Sequence, residues 1–154
     1  MRRIDREIAQ FSQMISIVER CDCCRLGLVD GEEAYIVPLN FGYEVEGEQL
    51  TLYFHCAREG RKLSLLEKCS VVSFEMDTGH QLTTGELACE FSFLYQCVMG
   101  TGTAQLLEGT EKVHGLERIM AHYAGPGPWE FDARLLERTA VIRLTVSHWS
   151  CKQH

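Results

Sequence analysis

The sequence predicts a mainly β protein, an antiparallel barrel closed or partly closed, with helices at its margins. Three observations carry this reading. From Cys24 onward, short runs rich in Val, Ile, Leu, Tyr and Phe are separated by turn residues such as Asp30-Gly31 and Glu46-Gly47-Glu48. Apolar residues at helical spacing are confined mainly to the N-terminal segment and to the stretch after Leu107. No repeat, low-complexity tract or linker divides the chain, so residues 1–154 form a single domain. Closure into a barrel is expected because it removes exposed strand edges.

Taken in order, Ile4, Ile8, Phe11, Ile15 and Val18 recur at helical spacing, so the first 20 residues read as one amphipathic helix. Cys24 to Val29 reads as a strand, and Asp30-Gly31 as a hairpin turn. A second strand runs from Tyr35 to Phe41; Pro38 lacks an N–H and confines it to an edge or a bulge. Gln49 to His55 is a third strand. A basic turn and a short helix to about Lys68 follow, then a strand from Ser70 to Met76. Residues 77–88 read as an excursion rich in turn residues. Ser92 to Leu107 is a long strand in which Gly100 and Gly102 mark a bulge or a close backbone approach. Thr110 is the expected cap of a helix to about Tyr123, with Val113, Leu116, Ile119 and Met120 as its buried stripe. A short helix over Ala133 to Arg138 and a strand from Thr139 to Val146 close the pattern.

Charge narrows the partners. A net charge of −7 disfavours nucleic acid and anionic membrane, which select basic surfaces. No apolar run approaches the roughly 20 residues that span a bilayer, and no apolar signal core follows Arg2-Arg3, so a cytoplasmic protein is expected. In that setting the eight cysteines are not a disulfide framework. Cys21-x-x-Cys24 lacks a second ligand pair at zinc spacing, and the scattered thiols read as small buried hydrophobes. His80, His114, His122 and His148 form no metal-ligand pattern.

Function is written most clearly in Leu52-Tyr53-Phe54-His55-Cys56-Ala57-Arg58-Glu59-Gly60-Arg61-Lys62. An apolar strand ends, the chain bends at Gly60, and a helix restarts on two adjacent cations. Such a turn aims a helix N-terminus, an Arg fork and a Lys point charge at one anionic group, above all a phosphate. A solvated helix start is the plain alternative.

The order of Cys24-Arg25-Leu26-Gly27-Leu28, Tyr35 to Tyr43, Tyr53-Phe54-His55-Cys56-Ala57, Gly60-Arg61-Lys62 and Val98-Met99-Gly100-Thr101-Gly102 resembles the pyridoxamine 5′-phosphate oxidase-related, FMN-binding split-barrel proteins, closest to the 5-nitroimidazole-resistance branch. The resemblance spans about Arg2 to Lys152. It implies a six-stranded antiparallel split β-barrel and a homodimer with a flavin at the interface. The flavin implied is FMN, with FAD as the alternative. It also implies roles residue by residue. Arg61 and Lys62 grip the phosphate. His55 and Cys56 lie against the flavin, and the backbone of Val37, Pro38, Leu39, Asn40 and Phe41 faces the ring. Cys97 stands where a polar side chain near the phosphate is usual. The C-terminal basic and aromatic segment of true pyridoxamine phosphate oxidases is not evident, which weighs against a vitamin B6 substrate.

The functional expectation is therefore a flavin-dependent reductase acting on a small electrophilic substrate, such as a nitroaromatic. A non-catalytic flavin carrier is the alternative. Redox chemistry of this kind belongs to the cofactor and needs no protein nucleophile. His55 is the candidate for proton transfer, with simple packing as its other role. Trp129 and Trp149 read as core or interface aromatics, with Trp149 open to a flavin-facing role.

Overall fold

The computed structural model describes residues 4–154. Strand β1 (Glu7–Ile8) precedes helix α1 (Phe11–Arg20). Hairpins β2 (Cys24–Asp30) with β3 (Glu33–Leu39), and β4 (Phe41–Glu46) with β5 (Gln49–Ala57), come next. Helix α2 (Arg61–Lys68) leads into the long hairpin β6 (Val71–Thr83) and β7 (Ser92–Leu107). Helices α3 (Gly109–Ala124) and α4 (Ala133–Arg138) precede β8 (Thr139–Gln153). Every strand pairing is antiparallel, and the order is β3-β2-β6-β7-β8-β5-β4, with β1 added on β8.

The mainly β class with marginal helices holds, and among the described residues the sheet has eight strands rather than six. One of the extra strands is β1. The expected N-terminal helix is confined to Phe11–Arg20, because Ile8 is buried as the strand partner of Cys151. The part of that expectation on residues 1–3 lies outside the described residues. The other is β4: the expected Tyr35–Phe41 strand ends at Leu39, and the chain restarts as a separate strand at Phe41. β3 has a neighbour on one side only, so Pro38 sits on an edge strand.

The expected excursion at 77–88 is mostly ladder. β6 runs on to Thr83 opposite Ser92, after a register shift between Thr78 and Gln81. β7 keeps its expected bounds, and its register against β8 shifts between Thr101 and Gly102, the bulge the glycines marked. β8 runs past Val146 to Gln153.

Alternating inward residues build one main core in which Leu26, Phe41, Leu52, Phe54, Met76, Val98, Ile142 and Leu144 are fully enclosed. Each such side chain contributes about 1.5–3 kcal/mol relative to exposure. A smaller cluster, Tyr53, Leu107, Ile119 and Val141, lies under α3. The α3 stripe is rotated from expectation: Gly115 and Ile119 are buried, and Val113, Leu116 and Met120 only partly so. Gly115 faces the Val141 and Tyr53 side chains, and the missing side chain lets the helix approach. Thr110 is not the cap; Glu108 precedes the helix without a side-chain capping bond. Asp132 does cap α4, accepting from the N–H groups of Arg134 and Leu135.

Among the described residues, no helix is long and apolar enough to cross a membrane. All eight cysteines are free. Of the scattered thiols expected to be buried, Cys97 and Cys151 are, Cys56 and Cys69 are half-buried, and Cys89 is exposed; Cys21 and Cys24 are buried as well. Burial pushes the Cys21 and Cys151 thiols up to about 12, so both are protonated at neutral pH.

Candidate cofactor site

Two surfaces flank the edge strand β3, one toward each of its faces. The first is a small pocket of about 150 Å³ between Tyr35, the end of β5 and the start of α2. Gly60 enters α2 with φ of 140°, a conformation closed to other residues, and a Cβ there would meet nothing within 4 Å. The N–H groups of Leu63 and Ser64 bond back to the Gly60 carbonyl at 3.1 and 3.3 Å. Helix geometry leaves those of Arg61 and Lys62 without intrahelical acceptors. Cys56 and Lys62 line this pocket beside Arg61.

The Arg61 guanidinium is already oriented. Its Nε donates to Asp30 Oδ2 at 2.7 Å and its Nη2 lies 2.5 Å from the same oxygen. Its Cζ lies over the Tyr35 ring, 4.6 Å from the centroid. Lys62 has no ion pair or side-chain hydrogen bond among the described residues. Asp30 is a site residue that sequence reasoning missed. Its place before Gly31 marks it only as a turn former, and the β2–β3 hairpin is what carries it to a partner 31 positions away. The approach of two distant turns cannot be seen in linear spacing.

The second surface is the outer face of the sheet, with an open cavity of about 740 Å³. Register explains its shape. One row across five strands reads Ile36, Gly27, Ser73, Thr101, His148, so small side chains form its middle. The adjacent row reads Pro38, Arg25, Glu75, Met99, Ser150. Arg25 bonds Glu75 at 3.0 Å and Asp77 at 2.5 Å, closing one side with charge. Ile36 is 64% exposed and Met99 37%, which leaves an apolar wall facing solvent. These positions were also missed. Gly27, Ser73 and Thr101 are ordinary residues until the register aligns them.

Of the sequence-expected residues, Cys56, Arg61 and Lys62 come together in the small pocket. Val37 and Leu39 pack toward the core, and Pro38 and Asn40 are exposed. Phe41 is fully buried against the His122 ring, centroids 4.5 Å apart, and its N–H donates to the Tyr123 hydroxyl. His55 alternates to the face of β5 opposite Cys56 and is exposed. Desolvation and then the Lys62 ammonium hold its pKa below the ordinary histidine value. Cys97 is buried between Asp77 and Lys152 in the strand register, and burial raises its thiol. Trp149 lies at the large cavity and packs edge-on against Phe11.

Elsewhere, the Tyr53 hydroxyl and His114 Nε2, the latter at 2.7 Å, bond the two oxygens of Glu44. No group of three or more metal-binding side chains occurs among the described residues.

With this geometry in view, a sequence model of the pyridoxamine 5′-phosphate oxidase family matches residues 12–153. The chain belongs to that family. It is similar to the solved structure of a candidate 5-nitroimidazole antibiotic resistance protein from Bacteroides thetaiotaomicron. The two are 30% identical over 96% of this chain and 86% of that one, with a TM-score of 0.82. The flavocytochrome Anf3 of Azotobacter vinelandii shares the fold at 21% identity, over all of this chain and 72% of that one, with a TM-score of 0.82. So does a FAD and heme binding protein of Mycobacterium smegmatis, at 16% identity, 96% and 72% coverage and a TM-score of 0.80. Comparison with curated proteins gave no match.

Proposed function

We propose that the protein binds a phosphorylated flavin and uses it to reduce a small electrophilic substrate, a nitroaromatic such as a 5-nitroimidazole being the leading class. One observation carries the reading: the edge strand β3 contributes to both surfaces, with Tyr35 on its inner side lining the cationic pocket and Ile36, on its outer side, lining the large open cavity. A flavin needs an apolar slot for its ring, backbone groups for its pyrimidine edge and a cation for its phosphate. The residues present fit these needs. The cavity of about 740 Å³ lies within the usual range for small-molecule sites. The free edge of β3 offers unpaired backbone donors and acceptors. The pocket at Gly60 is open and carries Arg61 and Lys62. FMN, the cofactor expected from the sequence, has the minimal set of matching groups.

When bound, the flavin supplies the electron transfer. The chain's part is to hold the phosphate through Arg61 and Lys62, to present the β3 backbone to the ring, and to cover the ring from water. A second copy supplies that cover in this reading. The outer face exposes Ile36, Met99, Val29 and Val71, and apolar exposure of this kind marks an interface. Two-fold pairing is the commonest way to bury such a face. The likeness to the nitroimidazole resistance candidate supports the substrate class. His55, facing away from the pocket, is assigned packing and local electrostatics rather than proton transfer.

The test begins with the absorption spectrum of purified protein and mass identification of any chromophore released on denaturation. Anaerobic photoreduction followed by mixing with a 5-nitroimidazole should then give rapid, saturable reoxidation. Reoxidation by oxygen alone overturns the reductase reading, and failure to bind any flavin overturns the whole of it.

A further inference from the structure

Asp30 places a negative charge on the phosphate anchor itself. The pair it forms with Arg61 is exposed, with 54% of the Arg61 side chain and 30% of Asp30 open to solvent. Exposed pairs of this kind add little to stability, so holding the fold together is a poor account of it. Its geometry has a clearer consequence. Asp30 Oδ2 takes the Nε and Nη2 edge of the guanidinium, whose Cζ lies over the Tyr35 ring. Nη1 remains for a ligand, with a carboxylate on the opposite side of the same cation.

The charges around the pocket then nearly cancel. Arg61 is matched by Asp30, while Glu59 lines the same pocket as Lys62. Lys62 is the cation left without an ion pair or side-chain hydrogen bond among the described residues. A phosphate monoester carries about −1.5 to −2 at neutral pH. A phosphodiester carries one negative charge per phosphorus. An anchor with at most one uncompensated cation suits the second better than the first.

We propose that Asp30 is a specificity-determining residue that tunes this anchor toward a diesterified phosphorus carrying one negative charge, as each phosphorus does in the diphosphate of a dinucleotide flavin, and away from the dianionic monoester of FMN. The inference rests on the flavin reading above and adds to it the charge state the site prefers. FMN still binds through Lys62 and the ring slot. The carboxylate removes the extra affinity that its second negative charge would otherwise gain.

The experiment compares riboflavin, FMN and the monomethyl phosphate ester of FMN, three probes that share ring and ribityl chain and differ at the phosphate. Dissociation constants are measured by fluorescence quenching for wild type, Asp30→Asn, Asp30→Ser and Asp30→Glu. Wild type should bind the methyl ester at least as tightly as FMN. Asp30→Asn and Asp30→Ser should tighten FMN relative to the ester by about 10-fold, the scale of one added charge interaction near a protein surface. Asp30→Glu, which keeps the charge, should retain the wild-type ratio, and riboflavin should be bound alike by all four. Wild type binding FMN 10-fold or more tighter than the ester overturns the proposal even if no variant folds. An unchanged ratio, or weakened FMN binding, in Asp30→Asn overturns it as well. Absence of binding by all three probes to wild type is a different result, because it removes the flavin reading itself.

Discussion

Gly42 on β4 lies directly against the backbone of Arg118 on α3: a Cβ built at Gly42 would overlap the Arg118 carbonyl group and the Ile119 nitrogen. The helix therefore rests on the strand with no side chain between them. This contact lets Ile119 reach the small cluster with Tyr53, Leu107 and Val141, and holds His114 beside Glu44. Gly42→Ala should destabilise the protein by about 1–3 kcal/mol, since helix backbone cannot yield to an added methyl as a side chain can. Gly115→Ala, whose new methyl meets the Val141 and Tyr53 side chains, should cost less. Urea denaturation of the two variants measures the difference, and equal or reversed losses contradict it.

Glu44 links that packing to pH. Burial alone would raise its pKa, but hydrogen bonds from Tyr53 and His114 outweigh this and hold it below the ordinary glutamate value. A carboxylate with a lowered folded-state pKa contributes stability that is present above its unfolded value. That stability is lost as pH falls through the folded value. Wild type should therefore lose urea resistance as pH is lowered below about 4.3, the ordinary glutamate value. Glu44→Gln should be less stable at pH 7 and show a shallower loss on acidification. An identical acid slope in the variant means that other carboxylates carry the effect.

The apolar outer face makes a prediction about assembly. Sedimentation equilibrium at low micromolar concentration should give about twice the 17.5 kDa chain mass. Ile36→Glu, at a position 64% exposed in the single chain, should shift the protein to monomer without unfolding it. A wild-type monomer that holds flavin tightly rules out the shared site.

How much of this was legible in the sequence depends on the range of the interaction. The Asp30-Gly31 turn, the bounds of β7 and the α2 start at Arg61 follow from local chemistry and appear where expected. β4 was hidden because the break at Asn40 lies inside a continuous apolar run, and only pairing with β5 makes Phe41–Glu46 a separate strand. Ile8 fits a helical stripe equally well until Cys151 claims it in a ladder. At the site, Arg61 and Lys62 could be read from adjacency to a glycine turn. Asp30 and the row through Gly27, Ser73 and Thr101 could not, because they are created by the register of strands far apart in sequence.

The phosphate anchor is the most direct test of the account. FMN titrated against wild type should quench flavin fluorescence with micromolar or tighter affinity, about −8 kcal/mol or better. The Arg61→Ala, Lys62→Ala double variant should lose about 10²-fold or more for FMN, the loss expected when charge-assisted contacts to phosphate are removed. Riboflavin, which lacks the phosphate, should bind both proteins alike. No quenching of FMN by wild type at tens of micromolar, or an equal loss for FMN and riboflavin in the double variant, contradicts the claim that these two residues grip a flavin phosphate.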